Sequence, residues 1–254
     1  MKRLFLAIIC ITLLISACSS AQPQEPPTSS PEPTEIPPTF TATAPPTQPP
    51  TETPVPTPTP DMRVILEEPK ALVLLSEDLP EEGQYFISQD KGTLSNEMIV
   101  YEFTQELGQE TAALVDLYLQ ATSRLDGYSQ AWTRGSWGFD GPLHIANEIA
   151  VFKTVKGAQL DVTTYKPQLF RAMDGRIPSH DDIQIGDTTR IYIDTVVSNG
   201  QEADVILVEF SYQNAVIDIG CWGETGKYTL DDVLVIAENV FNRLLELPLG
   251  EFEN

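Results

Sequence analysis

The stretches Arg190–Val197 (RIYIDTVV), Asn199-Gly200, Val205–Tyr212 (VILVEFSY), Gln213-Asn214 and Ala215–Ile219 (AVIDI) decide the fold. β-Branched and aromatic residues dominate each run, and Ile191, Ile193 and Val197 share one face. That is the composition and alternation of strands. Asn199-Gly200 is a strong hairpin signal, because both residues tolerate the positive φ that a tight two-residue turn needs. Gln213-Asn214 lies between the next two apolar runs.

A helix follows these strands. Thr229 is a capping residue three positions before Asp232, close to a capping box. Leu230, Val233, Ala237, Val240, Phe241 and Leu244 recur at helical spacing, and Pro248 closes the run. Upstream, Tyr128–Arg134 and Leu143–Lys153 read as strands around a Gly-rich turn. Leu79-Pro80 and Gly83 mark a turn before a short strand at Tyr85–Ser88. A helix is expected over Gln109–Leu125, with Leu114, Leu117, Tyr118, Ala121 and Leu125 as its apolar stripe and Gly127 as its cap. Ser95–Glu106 reads as a preceding helix, set off by Gly108. Val155–Met173 has helical character, divided by Pro167. Strands in runs, with helices before, between and after, predict an α+β domain: an antiparallel sheet with helices packed on it.

The chain before residue 61 has a different character. Lys2 and Arg3 precede an apolar run, Leu4 to Ile15, that is shorter than the roughly 20 residues of a bilayer span. Residues 1–17 therefore read as a signal peptide. Its end, Ile15-Ser16-Ala17-Cys18, resembles the bacterial lipobox. The resemblance implies that Cys18 is lipidated and becomes the mature N-terminus. Two or three acyl chains anchor a protein durably. Residues 19–60 hold 15 of the 21 prolines, alternating with threonine. This segment has too little apolar surface to fold. As polyproline II its 42 residues would span on the order of 100 Å. Residues 18–60 thus read as a lipidated, disordered Pro/Thr-rich linker, and 61–254 as one globular domain.

Net charge is −22 for the whole chain and −20 for residues 61–254. Such a domain does not suit nucleic acid, whose binding needs Lys and Arg to neutralise phosphate. Cys221 is the domain's one cysteine, so no intradomain disulfide forms; between Gly220 and Trp222 it reads as a small buried hydrophobe.

Several local pieces carry a family resemblance. They are Ser76-Glu77-Asp78-Leu79-Pro80, Asp126-Gly127-Tyr128, Ile185-Gly186-Asp187 before a strand, Gln213-Asn214, and the amphipathic C-terminal helix. Together they resemble bacterial envelope lipoproteins of unknown function with a PsbP-like domain. The extracellular sensor domains of mycobacterial serine/threonine kinases belong to the same broad structural group. Those domains carry disulfides, which this one cannot form. The resemblance implies a PsbP-like fold and brings no catalytic residue with it.

Motifs for chemistry are sparse. His144 sits in an apolar strand, and no His-Glu-x-x-His or Gly-x-Ser-x-Gly occurs. Ser179-His180-Asp181-Asp182, near Asp174 and Asp187, lacks calcium-loop spacing. Gly220–Tyr228 misses the phosphate-loop spacing and reads as a turn before the last helix. The stretch Trp132–Gly141 is the aromatic one: Trp132 suits the core, while Trp137 and Phe139, with Arg134 nearby, suit recognition of a ligand or partner. The expectation is an extracytoplasmic, membrane-anchored module without enzymatic activity, metal or cofactor. Through the sheet or the aromatic loop it would bind an envelope protein or a small ligand. The alternatives are a hydrolase of wall or extracellular polymers using Asp181, Asp182 or Asp187, and a purely structural stalked lipoprotein.

Overall fold

The computed structural model describes residues 63–80, 84–135, 138, 140–180, 182–198 and 200–251. The signal peptide, Cys18, the Pro/Thr-rich linker, Gly83, Trp137, Phe139 and Asp181 lie outside the described residues. Six strands form one antiparallel sheet: β2 (Phe86–Thr93), β3 (Arg124–Thr133), β4 (His144–Phe152), β5 (Thr188–Ser198), β6 (Gln201–Tyr212) and β7 (Ala215–Glu224). Their spatial order is β2-β3-β4-β7-β6-β5. A short pair, β1 (Val64–Ile65) with β8 (Leu249–Gly250), joins the two ends of the described chain. The helices are α1 (Pro69–Leu72), α2 (Asn96–Leu107), α3 (Gln109–Thr122), α4 (Val155–Leu160), α5 (Lys166–Asp174) and α6 (Leu230–Leu245). The domain is α+β, as the strand runs predict. Among the described residues no helix is long and apolar enough to cross a membrane.

Both hairpins form where the turn residues stand. Ser198 pairs with Gln201 across Asn199-Gly200, and Tyr212 with Ala215 across Gln213-Asn214. Gln213 takes φ 52, the left-handed value of such a turn. Asn214 is fully buried and explains its own place: its side chain accepts from Ile65 N at 2.7 Å and donates to Phe152 O at 2.9 Å. It thereby ties β1 and β4 to the turn.

One face of the sheet packs on α6. Ile145 and Ile149 of β4, Ile217, Ile219 and Cys221 of β7, and Val208 and Phe210 of β6 form one cluster with Val233, Ile236, Ala237, Val240 and Leu244 of α6. Each Val, Leu, Ile or Phe among them contributes about 1.5–3 kcal/mol when buried. The Thr229 amide and hydroxyl both donate to Asp232 Oδ2, at 2.7 and 2.9 Å, closing the predicted cap. Arg243 Nη2 reaches Asp78 Oδ2 at 3.0 Å, which fastens the Ser76–Asp78 turn to α6. Cys221 lies in this core, and burial pushes its thiol up, as suits a small hydrophobe.

Three readings change. The packed residues of α3 are Ala112, Val115, Leu119 and Thr122, whereas Leu114 and Leu117 are 59% and 62% exposed. The helix is apolar on several sides, so periodicity alone selected the wrong stripe. It also ends earlier, with Ser123 at φ 57, and Gly127 belongs to β3. There a Cβ would come within 2.5 Å of Ile149 O and closer still to the Arg124 guanidinium, so Gly127 serves strand packing, not a cap. Third, Val155–Asp174 is continuous: a π-helical turn, Asp161–Tyr165, joins α4 to α5. Pro167 is the second residue of α5, directly after the π-helical turn, and does not interrupt the run.

Candidate functional site

The other face of the sheet is built differently. Strand register lines up Ser129, Glu148, Asp218, Glu209 and Arg190 as direct neighbours across β3, β4, β7, β6 and β5. Three carboxylates therefore stand side by side on three adjacent inner strands, an arrangement that repulsion disfavours. The next row on the same face is Ala131, Ala146, Gly220 and Leu207. Its first three members are too small to fill the space beneath the helices.

A cavity of about 190 Å³ results. Its floor is the sheet, including Ala131, Ala146 and Gly220 beside Glu148, Asp218 and Glu209. Its walls are largely apolar: Ile99, Phe103 and Leu107 from α2, Val115 and Leu119 from α3, Leu169 and Phe170 from α5. No residue of α2 is fully buried, so this helix only leans over the space. At its edge Lys91 pairs with Glu102 at 3.5 Å.

The π-helical turn delivers the counter-charge. It leads into Lys166, whose Nζ contacts Asp218 Oδ2 and lies 3.4 Å from Glu209 Oε1 and 3.5 Å from Asp161 Oδ2. Such turns re-aim side chains and recur at functional sites. Asp161 is fully buried, and the Tyr118 hydroxyl donates to its Oδ1 at 2.5 Å. Burial works against the Lys166 ammonium, yet Asp218, Glu209 and Asp161 outweigh it and hold its pKa well above the ordinary value. Burial lifts Glu209 to about 8, with the Asp218 and Asp161 charges adding to it and Lys166 opposing. Burial, then Asp218, raises Glu148, and burial also raises Asp161. Glu209 is 1% exposed. Its Oε2, with Asp218 Oδ1 and Asp161 Oδ2, has no hydrogen-bond partner among the described residues.

Of the residues singled out from sequence, Arg134 is buried, with its guanidinium 5.1 Å from the Tyr85 ring centre. It supports the β3–β4 connection and is not exposed for recognition. Trp132 is in the core, as expected. Trp137 and Phe139 lie outside the described residues; their neighbour Gly138 donates its amide to Glu224 at 2.9 Å. His144 is half-buried against Trp222, and burial lowers its pKa. Of the acids considered for hydrolysis, Asp187 accepts from Gln213 N at 2.8 Å, and Asp182 is 86% exposed, 3.6 Å from His180 Nδ1. The residues that sequence reasoning missed are Glu148, Asp161, Lys166, Glu209 and Asp218.

No family model and no curated protein matches this sequence. Among solved structures the chain is similar to the extracellular domain of PknH from Mycobacterium tuberculosis, at 11% identity and TM-score 0.41. The match covers 70% of this chain and 94% of that one.

Proposed function

We propose that the protein is an extracytoplasmic lipoprotein, anchored through Cys18, whose domain binds a small molecule in the sheet-face cavity without transforming it. One observation carries this reading: a space of about 190 Å³ with apolar walls and a few convergent charged groups on its floor. That combination is the usual make-up of a small-molecule site. A space somewhat larger than one that holds benzene accepts roughly seven or eight non-hydrogen atoms. The lipobox-like Ile15-Ser16-Ala17-Cys18 and the proline-rich segment support the membrane tether. The PsbP-like resemblance of the local motifs supports a domain of the envelope-lipoprotein kind.

Two measurements test it. Mass spectrometry of the mature chain should find diacylglycerol on Cys18, and Cys18→Ala should abolish both lipid and cleavage; an unmodified mature Cys18 ends the anchoring proposal. Ligand-observed NMR with a fragment library should find binders that the cavity-filling variant Ala146→Phe loses. Fragments that bind wild type and A146F alike would remove the cavity from consideration.

A further inference from the structure

The open hydrogen-bonding capacity of the described cavity lining favours acceptors. Among the cavity-lining residues Glu209 Oε2 and Asp218 Oδ1 are buried acceptors without a hydrogen-bond partner, against one such donor, Arg124 Nη2. Carboxylate or phosphate ligands would bring more acceptors and more negative charge to them. A ligand that meets these oxygens must bring N–H or O–H donors. An ammonium brings three, with a positive charge.

Most of the neighbouring cationic groups are already engaged. Lys166 is shared among three carboxylates. Arg124, at the start of β3, gives its Nη1 to Leu94 O and Asn96 Oδ1, at 3.0 and 2.8 Å, and only its Nη2 has no hydrogen-bond partner among the described residues. Lys91 of β2 faces Glu102 of α2. Arg176, after α5, lies 4.5 Å from the Phe170 ring centre. Against these stand Glu148, Asp218 and Glu209 on the sheet, Asp161 from the π-helical turn, and Glu102 and Glu106 from α2. The phenols of Tyr118 and Tyr192 face the same cluster, and burial raises both.

We propose that the cavity takes an organic cation: a primary ammonium carried on an apolar chain of about six carbons. Its head sits on the Glu148–Asp218–Glu209 row and its body lies against Phe103, Leu119 and Phe170. This rests on the cavity being the binding site. One consequence is a proton link. With no cation present, Glu209 keeps its proton up to about pH 8. A bound ammonium favours the ionised carboxylate, so binding releases a proton below that pH. Cation affinity therefore rises with pH between 6.5 and 8.5, by about tenfold.

The test uses the full-length protein in detergent micelles, with empty micelles as the blank. Hexylammonium, hexanoate and hexanol are titrated calorimetrically at pH 6.5 and 8.5. The expected result is hexylammonium binding that tightens about tenfold at the higher pH, with hexanoate undetectable and hexanol weaker. Glu209→Gln should weaken hexylammonium more than tenfold and remove most of its pH dependence; if it does not fold, Glu148→Gln serves the same comparison. Equal or tighter binding of hexanoate in wild type, lost in A146F, overturns the cation assignment and leaves the cavity reading intact. Probe binding that A146F does not alter overturns both. Hexylammonium binding unchanged in the folded Glu variant overturns the cation assignment.

Discussion

The face of the sheet under α6 and the face under α2, α3 and α5 share the same strands. Consecutive residues of β6 and β7 serve them in alternation: Val208, Phe210, Ile217 and Ile219 go to one side, Glu209 and Asp218 to the other. The first face is closed by interdigitating apolar side chains. The second leaves a cavity over small residues, with Lys166 set against Asp161, Glu209 and Asp218. Stability is concentrated on one side, and buried charge is tolerated on the other. A domain that needed only to be stable would have no reason to keep the second arrangement, since apolar residues there would serve as well or better.

The largest effect should come from the packed face. Phe210 is fully buried and meets Phe241 edge-on at 6.1 Å. Phe210→Ala should cost about 4 kcal/mol in denaturant unfolding. A cost below about 1 kcal/mol would mean that α6 does not close this face as described.

Lys166→Met should come next, at about 3 kcal/mol near pH 8, because it leaves Asp161, Asp218 and Glu209 without their shared cation. The cost should shrink toward pH 5, where the raised carboxylates Glu209, Glu148 and Asp161 take up protons more readily. Unfolding curves at the two pH values decide it. A pH-independent cost would show that Lys166 matters for packing and not for charge.

Glu209→Gln tests the same face with the opposite sign. The folded protein holds the Glu209 proton up to about pH 8, whereas the ordinary value is 4.5. The folded state therefore binds more protons than the unfolded one between those values, and stability falls as pH rises through that window. Glutamine mimics the protonated acid at every pH. The variant should match wild type near pH 4.5 and exceed it in Tm increasingly up to pH 8.5. A wild type as stable as E209Q at pH 8.5 would contradict the assignment.

The packed face was legible in the sequence because its signals are local. The capping pair Thr229 and Asp232, the spacing of Val233, Ala237, Val240 and Leu244, and the Asn199-Gly200 hairpin signal each lie within one short window. The cavity is not local. Glu148, Asp218 and Glu209 come from three strands, and each sits between apolar neighbours (Asn147 apart). In one strand that pattern reads as an ordinary solvent-facing position. Only the register makes a row of them, and only α2, α3 and the π-helical turn bury it. Pro167 argued for a break where the chain in fact continues and inserts Lys166. A detectable signal was present: acids at the polar positions of three strong inner strands, with a lysine inside the covering helical segment. The aromatic-loop reading drew on Arg134, which is committed to Tyr85, and on Trp137 and Phe139, which lie outside the described residues.

The smallest predicted effect concerns α3, where sequence and structure disagree about which side is packed. Leu114 and Leu117 belong to the expected stripe but face solvent, while Val115 and Leu119 are buried against the cavity wall. Leucine and glutamine have similar helix propensities, so Leu117→Gln changes little except exposed apolar surface. It should shift stability by no more than about 0.5 kcal/mol. Val115→Ala, one turn-face away, should cost about 2 kcal/mol. The pair separates the two orientations of the helix: a large loss at Leu117 and none at Val115 would rotate α3 and take Val115 and Leu119 out of the cavity wall. Tyr118 of the same helix donates to Asp161, the buried acid beside Lys166. The helix orientation is thus coupled to the charge balance of the whole second face.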